Sequence, residues 1–317
     1  MQKVVKENFI AVVADDWYQR RRQDAEGEFF RKVADQSPRK GEGGSTRQGI
    51  YCLTADGKLL SYKNAGQNAE ATLDAIKLAL REWKKLPGER RKPGAVQIDE
   101  SPETDDQFHR TMPEGAQVFE VFTRLLAKGD DGCWIAAKSE KGKGDQPGRD
   151  HFWLTKQELA DLADLNAKSG ATKKLSKFVE RRIARFHLLD DTRGEPPMWD
   201  DKEVRKVEIT LRCKKADGKK IVWAIEGDAL MQTADEQRGC KVALGGEWVV
   251  DRVTKRVVGG DLVALGEHWG ESALTRGAPP GSTPIGIVFT LPKDEKLAAQ
   301  VPPQFARHLR YYLEQRY

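Results

Sequence analysis

A histidine between carboxylates is the densest group of potentially reactive side chains in this sequence. Glu267, His268, Trp269 and Glu271 stand close together, with a glycine on either side of the His-Trp pair. Imidazole titrates near neutral pH and a nearby carboxylate can fix its tautomer, so such a group could transfer protons or bind a metal ion. Because glycines favour turns that expose their neighbours, we place the cluster on a loop. Glu267, His268 and Glu271 are therefore the candidate catalytic residues, with Trp269 as a binding residue.

The spacing of the histidines and cysteines does not indicate a metal site. The sequence has no HxH, HxxxH or HExxH pattern, so a metal at His268 would need distant ligands such as His109, His151 or His187. The four cysteines are too widely spaced for a zinc or redox motif. The sequence therefore predicts no metal and no cofactor. Cys52, Cys133 and Cys213 lie in apolar runs and are expected to be buried, whereas Cys240 is expected to be the most exposed.

A second candidate binding site lies near the start of the chain. Trp17 and Tyr18 precede three consecutive arginines, residues 20–22, at the predicted beginning of a long helix. A helix N-terminus presents free backbone N–H groups and a positive potential, both of which favour an anion. Trp17, Tyr18 and Arg21 are the predicted binding residues. The alternative is that the arginines form a solvated helix face and that Trp17 packs in the core.

A further basic stretch occurs in the second half of the chain. It is predicted as a helix over residues 172–188, and a solvated face is the preferred interpretation because no aromatic residues alternate with the charges. Its basic residues are Lys173, Lys174, Lys177, Arg181, Arg182 and Arg185.

The elements around Trp17 resemble those of thioredoxin-like proteins. Residues 9–14 are typical of an apolar strand, and they lead through an acidic turn and Trp17 into the helical pattern. In that family the Trp is followed by a Cys-x-x-Cys motif, and Tyr18 and Arg21 occupy the two cysteine positions here. The resemblance implies an α/β thioredoxin-like domain without the redox dithiol. The family's cis-proline has no counterpart near Gly49.

The pattern predicts two domains joined by a linker. Residues 1–86 form the thioredoxin-like domain, and residues 87–114, which contain several prolines and patches of both charges, form the linker. Residues 115–317 alternate strand patterns and glycine turns with a few helices, one of which begins with a Thr155–Glu158 capping box. This second part is predicted to be a larger α+β domain.

Composition limits the classes of function. The 317 residues include 54 basic and 49 acidic side chains, for a net charge of +5 with both signs interspersed, so a nucleic-acid partner is not favoured. No apolar run is long enough to span a bilayer, and the first residues lack the apolar core of a secretion signal. We expect a soluble protein, either cytoplasmic or a processed exported one.

Two functions remain open from the sequence. The preferred hypothesis is a non-redox thioredoxin-like protein that binds or scaffolds a protein or an anionic ligand, because disulfide exchange needs thiols that the helix start lacks. The alternative is an enzyme, such as a metal-assisted hydrolase, with its site near His268. A third possibility is that the first domain binds an exported partner through an open sheet edge.

Overall fold

The computed structural model describes residues 1–38, 46–64, 68–92, 105, 108, 110–138, 144–164, 166–307 and 309–314. The chain divides into two compact units, Met1–His109 (unit 1) and Arg110–Tyr317 (unit 2). The division falls inside the segment predicted as a linker. Within the described residues, none of the helices is both long enough and apolar enough to cross a membrane.

Unit 1 is a small assembly of short helices and one hairpin. Its helices are α1 (Gln2–Asn8), α2 (Asp16–Gln19), α3 (Ala25–Ala34) and α4 (Ala69–Lys85), followed by a 3-10 turn at Gly88–Arg91. Strands β1 (Ile50–Leu53) and β2 (Leu59–Lys63) pair in antiparallel fashion. Helix α4 begins at the N-cap Asn68, whose side chain accepts a hydrogen bond from the Ala71 amide. The apolar core of unit 1 is small and centres on Cys52, Ile76 and Ala79.

The prediction of a thioredoxin-like fold is wrong. Residues 9–14 belong to no strand, and the predicted long helix is instead two helices, α2 and α3. Helix α3 begins as a separate helix because the Asp24 side chain caps its N-terminus by accepting a hydrogen bond from the Gly27 amide. The apolar segment has strand-forming residues, but a strand requires a partner to satisfy its backbone groups. Among the described residues, unit 1 therefore has a two-stranded sheet without the parallel strand–helix–strand unit of that family.

Unit 2 consists mainly of antiparallel strands. Its first strands are β3 (Gln117–Lys128), β4 (Trp134–Ala136) and β5 (Gly148–Leu154), followed by helix α5 (Lys156–Ala163), β6 (Thr172–Lys174) and helix α6 (Lys177–His187). A 3-10 turn at Asp201–Glu203 leads into the long strands β7 (Val204–Ala216), β8 (Lys220–Gln232) and β9 (Gly239–Asp251). The remaining elements are β10 (Arg256–Gly259), β11 (Leu262–Trp269), β12 (Ser282–Thr290), α7 (Glu295–Ala298) and α8 (Leu309–Glu314).

These strands form one ten-stranded sheet in the described part of the chain. Its order is β4-β3-β12-β11-β9-β8-β7-β6, with β5 paired to β3 and β10 paired to β9. The hairpin β7–β8 and its extension β8–β9 run in continuous register over most of their length. Strand β12 brings the end of the unit beside its first strand, pairing Ile285 with Leu125. The predicted combination of a thioredoxin-like α/β domain and an α+β domain is thus replaced by a large antiparallel sheet with helices around it.

The core of unit 2 follows from strand alternation. Buried side chains alternate with exposed or half-buried ones over much of β8 and β9 and in the middle of β7. The fully buried Trp223 and Trp248 face each other across β8 and β9. A second apolar cluster packs Trp153 and Phe186 against Tyr311 and Tyr312 of α8. Helix α5 starts at the predicted capping box of Thr155 and Glu158, which is confirmed. These helices position the polar residues described next.

Candidate functional site

His268 lies inside a strand and not on a loop. It occupies β11, directly between Cys240 of β9 and Thr283 of β12 in the sheet register. The side chain is buried, and this burial lowers the pKa of His268 to about 4, against the opposing attraction of the Asp190 carboxylate. The imidazole is therefore neutral near pH 7.

The structure does not bring the three predicted catalytic residues together. Glu267 is exposed because adjacent residues of a strand face opposite sides of the sheet. Glu271 follows the strand, and its carboxylate accepts hydrogen bonds from the Gly277 and Ala278 amides at 2.7 and 3.2 Å, which lower the pKa of Glu271. Trp269 donates its indole N–H to the Glu236 carbonyl and packs over Gly239. Each of these side chains has a separate structural role.

Sequence reasoning missed two charged neighbours of His268, Asp190 and Arg193. Asp190 and Arg193 follow helix α6, and Arg193 Nε donates to Asp190 Oδ2 at 2.5 Å. The two Nη atoms of Arg193 donate to the carbonyls of Thr275 and Gly270 at 2.7 and 3.0 Å. The two contacts to carbonyls connect the loop after β11 to the segment after α6. The space lined by Asp190, Arg193 and His268 has no room for a water molecule.

The cysteines and histidines form no metal or redox centre in the described residues. No group of three His, Cys, Asp or Glu side chains there could hold a metal ion. All four cysteines are free, and the expected exposures of Cys133 and Cys240 are reversed, since Cys133 is exposed and Cys240 is buried. Burial raises the pKa of the Cys240 thiol to about 12. Cys133 lies just before β4, at the open end of the sheet, whereas Cys240 lies in a central strand. His109 lies outside the described residues.

The predicted anion site around Trp17 contains arginines that already interact with their neighbours. Helix α2 has a single turn, and Asp15 occupies its N-terminus by accepting a hydrogen bond from the Trp17 amide at 2.8 Å. The Arg21 guanidinium stacks over the Trp17 ring at 4.4 Å and donates to the Trp17 carbonyl. The Trp17 and Tyr18 rings pack edge-on against each other and against Phe108. Trp17 and Tyr18 thus pack against neighbouring rings and Arg21 bonds to the backbone, and the binding role of these three residues stays a prediction.

A pocket that sequence reasoning did not identify lies between α5, β6 and α6. Its cavity measures 160 Å³. The apolar lining residues are buried and form its floor, whereas the polar and charged ones are half-buried or exposed and form its rim. The apolar lining residues are Leu154, Leu162, Leu175, Val179 and Leu211. The polar lining residues are Glu158, Asp161, Lys173, Lys174 and Ser176.

Lys173 has the most unusual environment at the rim. Its ammonium group lies 4.7 Å from the centre of the Trp223 ring and donates to the Asp161 carbonyl. The Oδ2 atom of Asp164 lies 3.8 Å from the Lys173 ammonium nitrogen. Burial lowers the pKa of Lys173 below its usual value, although Asp164 and Asp161 act in the opposite direction. This ammonium group is partly desolvated, and its ion pair with Asp164 is long.

The carboxylate of Glu158 is fully engaged by an arginine. Arg182 donates to its two oxygens at 2.9 and 2.8 Å, and the Arg182 side chain is completely buried. Arg182 also donates to the carbonyls of Trp153, Tyr312 and Leu313. Glu158 is therefore neutralised by Arg182. The other charged side chains that line the pocket are two lysines, Lys173 and Lys174, and one aspartate, Asp161.

The sequence contained part of the signal for this pocket. Lys173 and Lys174 were included in the basic stretch, but the predicted helix over residues 172–188 assigned them to a solvated face. In the structure, residues 172–174 form β6 beside β7, and only Lys177–His187 is helical. Because that pairing partner is distant in sequence, local periodicity could not reveal the position of the lysines.

Comparison with known proteins gives no relative from which a function could be transferred. No protein-family model, no curated protein and no solved structure matches this chain.

Proposed function

We propose that this chain is a binding protein whose pocket between α5, β6 and α6 takes a small anionic ligand with an apolar body. The observation that carries the proposal is an open, apolar-floored cavity of 160 Å³ with the partly desolvated Lys173 ammonium group at its rim. Apolar pockets with a few oriented polar groups are the usual form of small-molecule sites.

The size and lining of the cavity suit a single ring or a branched aliphatic group. An apolar cavity of about 150 Å³ is known to accommodate benzene in another protein. The floor here is made of leucine and valine side chains from two helices, two strands and the connection between β6 and α6. Burial of an apolar group against it would be favourable by about 25 cal/mol for each Å² of apolar surface removed from water.

The charge at the rim favours a carboxylate or phosphate group on the ligand. An anion beside Lys173 would compensate the desolvation that lowers the pKa of this lysine. Lys174 is exposed and lies 3.8 Å from Glu208, an arrangement that contributes little by itself and leaves the amino group available. Glu158 does not oppose an anion strongly, because Arg182 neutralises it.

An enzyme centred on His268 remains the alternative hypothesis. Nothing in the geometry favours it over binding, since the space beside His268 does not admit a water molecule and Arg193 is bonded to backbone carbonyls. A hydrolytic step requires water within reach of the acid–base group.

The proposal can be tested with benzoate and benzylamine as probes of similar size and opposite charge. We expect benzoate to shift the methyl NMR signals of Leu162, Val179 and Leu211, and benzylamine to shift them far less, because Lys173 repels a cation. Lys173→Met should weaken benzoate binding by about tenfold, which corresponds to loss of one charge-assisted hydrogen bond.

Lys168→Met is the matched control, since Lys168 is an exposed lysine nearby that does not line the pocket. It should leave benzoate binding unchanged. Equal shifts from the two probes, or no shift of these methyl groups at high benzoate concentration, would contradict the proposal.

A further inference from the structure

Unit 1 presents a continuous apolar segment to solvent. Residues 10–14, Ile-Ala-Val-Val-Ala, are all exposed, and Ile10, Val12 and Val13 are exposed by 94%, 80% and 100%. Their backbone makes no hydrogen bond to any other described residue, and the segment belongs to no helix or strand. A run of this kind is unusual in a folded protein, where scattered apolar residues are common but contiguous ones indicate an interaction site.

The segment is held in place at both ends. Phe9, with extended backbone angles, packs with Val4 and Val5 against the core of unit 1. At the other end, Asp15 caps α2 through the Trp17 amide. The strand-like segment is thus tethered on a folded body, which reduces the entropy lost when it pairs.

The composition of the segment suits a strand. Residues 9–14 contain β-branched and aromatic side chains and no proline, glycine or charge. Natural proteins usually protect unpaired strands with lysine, proline or a bulge, and none of these protects residues 9–14.

A matching edge exists in the same unit. Strand β1 pairs with β2 along one side, and its other side has no strand neighbour in the described part of the chain. Its residues, Ile-Tyr-Cys-Leu, carry no charge, and Ile50 is exposed. A two-stranded sheet is only marginally stable alone and gains from a third strand.

We propose that two copies of this chain associate by reciprocal strand addition, with residues 10–14 of each copy pairing along the open side of β1 of the other. Five extended residues span about 17 Å and the four of β1 about 13 Å, so the segment covers the whole edge. The pairing buries no charge, because neither strand carries one.

A second copy is the occupant that this geometry favours. Each copy supplies both the added strand and the receiving edge, so a two-fold arrangement satisfies both at once and closes the assembly. The inference uses residues of unit 1 only and does not depend on the anionic-ligand pocket of unit 2.

The first test is the concentration dependence of the molar mass of the full chain. Sedimentation between about 1 and about 100 µM should show a monomer–dimer equilibrium. Val12→Lys should raise the dissociation constant by at least about tenfold, because it places a charge in the added strand. The control is Val253→Lys, which changes an isolated valine that is 74% exposed on a turn of unit 2, and it should leave the dimer intact.

The second test separates strand pairing from simple apolar contact. Successive residues of a strand direct their N–H groups to opposite edges, so Val12→Pro and Val13→Pro remove donors from opposite sides of the segment. Pairing along one side predicts that one of these variants weakens the dimer much more than the other. Circular dichroism of each variant would establish that the exposed substitution leaves the monomer folded.

A protein that remains monomeric over the whole concentration range would overturn the inference, and so would a dimer that withstands Val12→Lys. Equal effects of the two proline variants would exclude pairing along a single edge. Open-ended growth in place of a dimer would exclude the reciprocal arrangement.

Discussion

Asp191 shows how the fold determines the protonation of one carboxyl group. The residue follows α6 and packs against Gly148 of β5, where an added methyl group would meet its Oδ1 atom at 1.8 Å. Burial, and then the negative charge of Asp150, raise the pKa of Asp191 to about 7, although the Thr123 side chain hydrogen-bonds to it. Oδ1 has no hydrogen-bond partner among the described residues. This carboxyl group therefore keeps its proton at pH values where most aspartates are ionised.

We predict that Asp191 makes the native state less stable as pH rises from about 4 to about 7. In this range the native protein retains a proton that the unfolded chain releases, so the free energy of unfolding falls with pH and then levels off. Asp191→Asn preserves the shape without the charge, and its stability relative to the wild type should increase across the range by at least about 1 kcal/mol. Urea unfolding at several pH values measures this difference, and the exposed Asp130→Asn is the control. A constant difference would show that Asp191 ionises normally.

For individual residues, the sequence pattern indicated that His268 and Trp269 are notable, but the surroundings predicted for them were wrong. The glycines beside them were interpreted as turn residues. Gly266 instead lies within β11, where a methyl group would come within 2.0 Å of the Lys241 carbonyl, and only Gly270 adopts a positive φ of 79°. Glycine allows close approach of neighbouring strands as well as turns, and the sequence alone does not distinguish the two. Asp190 and Arg193 could not be linked to His268 because they lie far from it along the chain.

The Glu158 carboxylate stabilises helix α5 in two ways, as part of the capping box and as the partner of Arg182. Glu158 Oε2 accepts a hydrogen bond from the Thr155 amide in the capping box and another from Arg182, while Oε1 accepts a second from Arg182. The start of α5 is thereby joined to α6 and to the carbonyls at the end of α8.

We predict that Glu158→Gln destabilises the protein by about 2–3 kcal/mol, since it leaves Arg182 buried without a countercharge while three carbonyls still accept its hydrogen bonds. Thr155→Ala is the comparison, because it removes only the cap and should cost about 1 kcal/mol. Urea unfolding monitored by circular dichroism gives both values. Equal losses would indicate that the capping box, and not the ion pair, determines the stability of this helix.

Elements that depend on residues adjacent in the chain could be predicted from the sequence. Elements that depend on pairing with a distant strand could not. The Thr155–Glu158 capping box follows from adjacent residues and is confirmed. The Asn68 cap of α4 and the β7–β8 hairpin likewise depend on residues close together in the chain. Residues 9–14 have strand composition but no strand partner, and residues 172–174 have helical neighbours but pair with β7. In each failure a tertiary contact, or its absence, decided the conformation over local preference.

The order of the ten strands was beyond the reach of the sequence. Hairpins such as β7–β8–β9 are local, but β3 lies between β5 and β12, and β12 is more than a hundred residues further along the chain. Alternating patterns show which faces are buried and do not show which strands are neighbours. The resemblance of the first residues to thioredoxin-like proteins was therefore misleading, since it rested only on the pattern of residues adjacent in the chain.

We predict that residues 110–317 fold without unit 1. Every residue of the two large apolar clusters, including the fully buried Trp153, Trp199, Trp223 and Trp248, lies in this part of the chain. The isolated segment should keep the near-ultraviolet circular dichroism of buried indoles and a blue-shifted fluorescence maximum like that of the intact chain. A red-shifted spectrum would show that unit 2 requires unit 1 to complete its core.

The pairing of β3 with β12 also constrains how the protein is made. A ribosome produces β3 early in unit 2, yet one of its two neighbours in the sheet does not exist until β12 has been synthesised. Meanwhile β5 can pair with one edge of β3, whereas the edge that receives β12 remains available to chaperones or to other nascent chains. Slow translation upstream of β12 would therefore favour misfolding of this protein, and rapid completion of the strand would protect it.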